Sequence, residues 1–214
     1  MTYAVKEIFY SIQGEGVNAG CPALFLRFAG CNLWSGREED RDKATCRFCD
    51  TDFLGTNGTG GGKCESAGRV ADVLDGLWPR TDPRREERLV VCTGGEPLLQ
   101  LDDVLVSELH ARGFRVALET NGTIAAPRGI DWICVSPKTP VGDLEQRSGD
   151  ELKLVYPQEG FDPSDFEDLG FQHFIIQPKD GPDKELNTRL SLAYCLQHPR
   201  WRLGLQVHKV LGVR

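Results

Sequence analysis

Arg88-Leu89-Val90-Val91-Cys92-Thr93-Gly94-Gly95-Glu96-Pro97 decides the fold. Arg88 to Cys92 is a short apolar run bounded by a glycine turn, which reads as a strand. Pro97 suits the first turn of a helix, and Leu98 to Arg112 is expected to continue that helix until Gly113 closes it. The unit recurs on both sides. Ser66 to Trp78 carries Val70, Val73, Leu74 and Leu77 at helical spacing. Downstream, strands are expected over Phe114–Glu119, Ile130–Val135, Glu151–Tyr156, Phe174–Pro178 and Trp201–Val207, with a short helical stretch near Pro163–Leu169 and a helix over Leu186–His198. Strand, polar loop and helix in repetition imply a parallel α/β sheet. Its strands are apolar along most of their length, as a sheet covered on both faces requires. Several end in small or polar groups: Thr93-Gly94-Gly95, Glu119-Thr120-Asn121, Ser136-Pro137-Lys138 and Gln177-Pro178. In α/β barrels the active site sits at that rim. The units are too few for an eightfold barrel, so the expectation is a partial, splayed (β/α) barrel with an abbreviated helix set, one domain over residues 1–214.

Upstream of this array, Tyr3–Tyr10 is a candidate strand that runs into Ser11-Ile12-Gln13-Gly14-Glu15-Gly16. Gly14, Gly16 and Ala19 have the spacing of a dinucleotide fingerprint, but that motif must open a helix. Pro22 and the strand-like Ala23–Phe28 follow instead, so the segment reads as a turn whose backbone and polar side chains can face a ligand. Alternation puts Arg27 on the face opposite Leu26 and Phe28. If that face lines a pocket, the guanidinium suits a carboxylate.

The chemistry is concentrated in the next stretch. Cys31 is followed after fourteen residues by Cys46, and after two more by Cys49, then Asp50-Thr51-Asp52. Three thiolates suit iron–sulfur or zinc and suit magnesium or calcium poorly. Structural zinc takes four protein ligands, and electron-transfer clusters usually take four cysteines. Three cysteines leave one iron of a 4Fe-4S cluster open to a non-protein ligand. Between Cys31 and Cys46, Gly36 to Lys43 is a charged loop or short helix, and Gly55 to Gly62, with five glycines in eight residues, reads as a flexible loop. The net charge of -7 argues against a general nucleic-acid binder. Neither an eighteen-residue apolar run nor a signal-peptide core is present, so no membrane partner and a cytoplasmic location are expected. Eight cysteines in that setting point to metal or redox chemistry. Of these, Cys21, Cys92, Cys134 and Cys195 read as structural.

Three cysteines ahead of a barrel, with Phe48 before the last and Gly94-Gly95-Glu96-Pro97 after a strand, resemble the radical S-adenosylmethionine enzymes. The fourteen-residue first gap departs from that superfamily's usual short spacing. Ser11–Gly16, Arg27, Cys49-Asp50-Thr51, Glu119-Thr120-Asn121-Gly122, Val135-Ser136-Pro137-Lys138 and Glu151-Leu152-Lys153 narrow the resemblance to the 7-carboxy-7-deazaguanine synthase family of queuosine biosynthesis, some members of which carry the long gap.

The resemblance implies a reaction and a site. The substrate would be 6-carboxy-5,6,7,8-tetrahydropterin, contracted by radical chemistry to 7-carboxy-7-deazaguanine with loss of ammonia. The cofactors would be a 4Fe-4S cluster on Cys31, Cys46 and Cys49, S-adenosyl-L-methionine, and Mg2+ on Thr51, with Asp50 and Asp52 as rival ligands. Phe48, Asp50, Gly95, Glu119, Asn121, Ser136, Pro137, Lys138 and Gln177 would receive S-adenosyl-L-methionine. Ile12, Gln13, Gly14, Glu15, Arg27, Thr93 and His208 would receive the substrate, Arg27 and His208 through its carboxylate. A flavodoxin or ferredoxin would be the reductant, relatives suggest a homodimer, and the terminal carboxylate of Arg214 could join the site. The alternatives left open are another radical S-adenosylmethionine enzyme, such as a glycyl-radical activating enzyme, and a non-catalytic zinc-stabilised binding module. In the latter, Cys64, separated from Cys49 by fourteen residues, would be the fourth ligand.

Overall fold

The computed structural model describes residues 2–80 and 88–213. Nine strands form one sheet: β1 Tyr3–Ile12, β2 Pro22–Phe28, β3 Gly62–Cys64, β4 Arg88–Gly94, β5 Phe114–Thr120, β6 Trp132–Val135, β7 Ser148–Tyr156, β8 Gly170–Pro178 and β9 Trp201–Leu203. Their order is β3-β1-β2-β4-β5-β6-β7-β8-β9. β1 is antiparallel to both its neighbours, and from β2 to β9 every pairing is parallel. The four α-helices among the described residues are α1 Ala67–Leu77, α2 Asp103–Ala111, α3 Lys184–Gln197 and α4 Val207–Leu211. Between β6 and β8 the connections hold only the 3-10 turns Val141–Asp143 and Pro163–Phe166. The sheet is thus a splayed partial barrel with few helices, as the strand count suggested.

Period-two alternation sorts the sheet into a packed face and a functional face. Leu24, Leu26, Phe28, Val90, Cys92, Val116 and Leu118 bury against α1 and α2 in one apolar core. Leu152, Leu154, Phe174, Ile176 and Trp201 build a second. The intervening positions Arg27, Thr93, Glu119, Lys153 and Gln177 stand on the opposite face, with Arg27 directly across from Thr93 in the ladder. They cluster at the C-terminal ends of their strands.

Three local expectations are corrected. The helix foreseen over Leu98–Arg112 is broken: Pro97–Leu99 is a 3-10 turn, and α2 begins only at Asp103, capped by Asp102, which accepts from the Leu105 amide. Gln100, at the break, accepts from the Ala4 amide at 2.6 Å and donates to the Ala29 carbonyl at 2.8 Å. That tertiary tie overrides local helix propensity. The last strand stops at Leu203, short of Val207, because the chain turns to the loop after β1, where the Val207 amide donates to the Gly14 carbonyl at 2.8 Å. The glycine-rich segment after Gly55 is laid along β1: the Ile8 amide donates to the Thr59 carbonyl at 2.8 Å, and a Cβ on Gly61 would stand 2.2 Å from the Lys6 carbonyl oxygen. These glycines permit close backbone approach, and the remainder of the segment forms the edge strand β3.

Candidate active site

Two adjoining cavities open on the functional face. The first, about 210 Å³, is lined by Cys31, Cys46 and Cys49 together with Phe48, Asp50, Gly95, Glu119, Asn121, Ser136, Lys138 and Gln177. The second, about 390 Å³, is lined by Ile12, Gln13, Gly14, Glu15, Arg27, Thr93 and His208. Each sequence-derived group thus gathers in its own cavity, except Pro137, which is buried and lines neither. Glu15, Asp50, Thr51, Thr93, Glu119 and Gln206 face both, so the cavities share a wall. Arg214 lies outside the described residues.

The loop after β2 carries Cys31, and the turn after β4 is locked beneath it. The Glu96 amide donates to the Gly30 carbonyl at 2.9 Å. The fully buried Glu96 carboxylate accepts from the Leu98 amide at 3.0 Å, the Thr120 hydroxyl at 2.8 Å and the Asn121 amide at 2.8 Å. Burial raises its pKa and these donors oppose the rise. The turn is thereby pinned to the end of β5, and Gly95 sits against Cys31. A Cβ on Gly95 would meet the Gly30 carbonyl oxygen at 2.2 Å and the Cys31 Cβ at 2.7 Å, both too close for a side chain. Gly95→Ala is expected to lower the melting temperature and cost about 1–3 kcal/mol through overpacking, readable by denaturant unfolding; wild-type stability would disprove the close fit.

All three cysteines are free thiols, Cys46 buried and the other two half-buried. Cys46 hydrogen-bonds Cys49, which favours thiolate at Cys49. Lys138 approaches the Phe48 ring at 5.8 Å and donates to the Ser136 hydroxyl at 2.6 Å. Burial pushes its pKa down. Gln177 Oε1 is buried with no hydrogen-bond partner among the described residues, which suits an atom awaiting a ligand donor. Soft sulfurs, a cationic side chain, a glycine cradle and an orphan amide oxygen together fit a cluster with a polar organic ligand. No group of three or more His, Cys, Asp or Glu tight enough for a single metal ion occurs among the described residues. Cys64 stands apart, in β3 opposite Tyr3 and packed on the first core.

The shared wall is a buried charge network that the sequence reading did not assign. Lys153, with a side chain only 5% exposed, donates to Glu15 at 2.7 Å and to Glu119 at 2.9 Å. Gln13 donates to the other oxygen of Glu119 at 3.2 Å, and Gln206 to the other oxygen of Glu15 at 2.8 Å. Burial alone would raise the Glu15 pKa, yet chiefly the Lys153 ammonium holds it down at about 2. Burial likewise works against charge on Lys153, but the surrounding carboxylates Glu119, Glu15 and Glu151 help hold its pKa well above the ordinary value. Lys153 was legible by the argument used for Arg27: it alternates with Leu152 and Leu154 in an apolar strand. Gln206 also alternates with Leu205 and Val207 in the sequence, but the strand expected there ends at Leu203, so that alternation did not place it in the site.

Arg27 donates to Glu7 at 2.9 Å while facing the second cavity. His208, on α4, covers Gly14 so closely that a Cβ there would lie 2.0 Å from its Nδ1. Lys209 closes the rim, bonding Asp50 at 2.6 Å and Asp180 at 2.7 Å. Asp52 is paired with Lys6 at 2.8 Å. Both acidic neighbours of Thr51 are thus engaged by lysines.

A parallel sheet splayed open, with three cysteines and a glycine turn at its C-terminal rim, defines a partial barrel of the radical S-adenosylmethionine type, a class whose cofactors are a 4Fe-4S cluster and S-adenosyl-L-methionine. A scan of protein-family models finds no match. Individual relatives are nonetheless similar from end to end. The chain is 59% identical to the 7-carboxy-7-deazaguanine synthase of Caulobacter vibrioides and 58% identical to that of Bradyrhizobium diazoefficiens, each comparison covering 100% of both chains. The crystal structure of QueE from Escherichia coli superposes with a TM-score of 0.69 at 27% identity, covering 97% of this chain and 95% of that one. The chain belongs to the 7-carboxy-7-deazaguanine synthase family.

Proposed function

We propose that this chain, acting as a single domain over residues 1–214, converts 6-carboxy-5,6,7,8-tetrahydropterin to 7-carboxy-7-deazaguanine by radical ring contraction with loss of ammonia. The observation that carries the reading is the shared wall between a three-cysteine cavity and a cavity with Arg27 and His208 on one side and Glu15 and Glu119 on the other. When bound, the reduced cluster and S-adenosyl-L-methionine supply a hydrogen-abstracting radical; the protein orients and shields. Cys31, Cys46 and Cys49 hold the cluster. Gly95 offers its backbone to the methionine moiety, Phe48 meets the adenine, and Glu119, Asn121, Ser136, Lys138 and Gln177 receive the ribose and carboxylate. Arg27 and His208 take the substrate carboxylate. Gln13, Glu15 and Thr93 read the pterin edge, whose N–H donors call for acceptors. By keeping Glu15 ionised, Lys153 preserves such an acceptor.

Thr51 is the proposed Mg2+ ligand. Magnesium keeps waters and accepts oxygens from substrate, so one hydroxyl beside a substrate carboxylate suffices, and the ion pairs at Asp50 and Asp52 favour Thr51 over its neighbours. A flavodoxin or ferredoxin as reductant, a homodimer and a cytoplasmic location belong to the same proposal. Anaerobic turnover of reconstituted protein with the carboxytetrahydropterin, with and without Mg2+, is the test. Formation of 7-carboxy-7-deazaguanine, greater with Mg2+, is expected. Cleavage of S-adenosyl-L-methionine without that product would instead favour a different radical enzyme.

A further inference from the structure

The segment between Cys31 and Cys46 folds into a compact brace. Its 3-10 turn, Glu38–Lys43, presents Arg41, whose Nη1 donates to the Arg47 carbonyl at 2.9 Å and to the Cys49 carbonyl at 3.2 Å. Those two acceptors frame Phe48 within the Cys46–Cys49 loop. The guanidinium is fixed from two further sides. It lies 4.0 Å over the Trp34 ring and pairs through Nε with Glu38 at 2.7 Å. Trp34 is itself immobilised: it is buried, packs edge-on against Phe53 at 5.6 Å, and donates from Nε1 to the Arg37 carbonyl at 3.1 Å. Phe53 follows the Asp50-Thr51-Asp52 segment, so the brace grips the cysteine loop from both of its ends.

The geometry points to Arg41 as a positioning residue that holds Cys46 and Cys49 in their ligating arrangement, and to the long gap as the structure that delivers it. A short spacing would restrain the first and second cysteines covalently. Fourteen intervening residues remove that restraint, and one Nη1 amino group reaching two carbonyls, on a guanidinium stacked over Trp34 three residues after Cys31, restores it through space. The purpose assigned to the brace rests on the proposed function, since it presumes that these cysteines are ligands; the contacts themselves do not.

The test uses the metal-free full-length protein and iodoacetamide, with the alkylation rate of each cysteine followed by mass spectrometry. In Arg41→Ala, Cys46 and Cys49 should react about tenfold faster as their loop is released to local opening, while Cys31 and Cys92 keep their rates. The sign is diagnostic: losing a nearby cation by itself raises thiol pKa and slows alkylation. Glu38→Ala, at a side chain 76% exposed and therefore safe for folding, should show the same selectivity with a smaller factor. Unchanged or slower alkylation at Cys46 and Cys49 in both variants, or equal acceleration at every cysteine, would overturn the brace. After anaerobic reconstitution, iron release to a chelator should also quicken in Arg41→Ala. Failure of wild-type protein to take up a cluster would count against the proposed function and leave the alkylation result to decide the brace.

Discussion

Cys46→Ala is expected to abolish cleavage of S-adenosyl-L-methionine, with Cys64→Ala at the wild-type level. Cys46 lines the first cavity with Cys31 and Cys49; on the proposed function these three anchor the cluster, and removing one leaves it short of a protein ligand. Cys64 lies in the edge strand β3 against the first core, where alanine deletes one sulfur from a half-buried site. Iron content and absorbance of anaerobically reconstituted protein should follow the same division. Equal loss of iron in both variants would mean that Cys64 is a ligand, and the open coordination position on which the chemistry depends would vanish.

The second large effect is on stability. Lys153→Met should cost about 3–5 kcal/mol, because it leaves Glu15 and Glu119 facing each other in a buried wall without their counter-ion. Urea unfolding at neutral pH measures it, and a loss below about 1 kcal/mol would show that water already screens the pair. Acid titration gives a linked expectation. The folded-state pKa of Glu15, about 2, lies below its ordinary value of 4.5. Its contribution is therefore fully present above pH 4.5 and is lost as pH falls toward about 2. That shift corresponds to about 3 kcal/mol. Glu96 and Glu151, raised by burial, act with the opposite sign. The comparison of wild type with Glu15→Gln between these pH values isolates Glu15, and parallel curves for the two proteins would remove it as the acid-sensitive group.

The parallel sheet was readable because its strands are short apolar runs closed by glycine and polar turns, a pattern that needs no tertiary information. The same alternation that set Arg27 opposite Leu26 and Phe28 placed Thr93 and Gln177 on the functional face. The segments that misled were governed by distant contacts. Gln100 leaves helical geometry for the backbone of Ala4 and Ala29. Gly61 is a glycine because β1 passes too close for a side chain. Lys153 was visible as a motif residue, yet its role as the hub between two carboxylates depends on strands β5 and β7 standing two places apart in the sheet. The brace around Arg41 had no periodic signature, since it is built from one 3-10 turn, one ring and two carbonyls.

Helix α4 spans five residues, yet contacts in and just before it close two of the molecule's longest loops. Gln206, just before it, reaches Glu15 across 191 positions of sequence, and Lys209 reaches Asp50 across 159. Closing such long loops costs entropy that is recovered only after the intervening strands have assembled. The cysteine loop and the loop after β1 are tied to one C-terminal segment. A change in that segment would therefore act on two walls of the site at once.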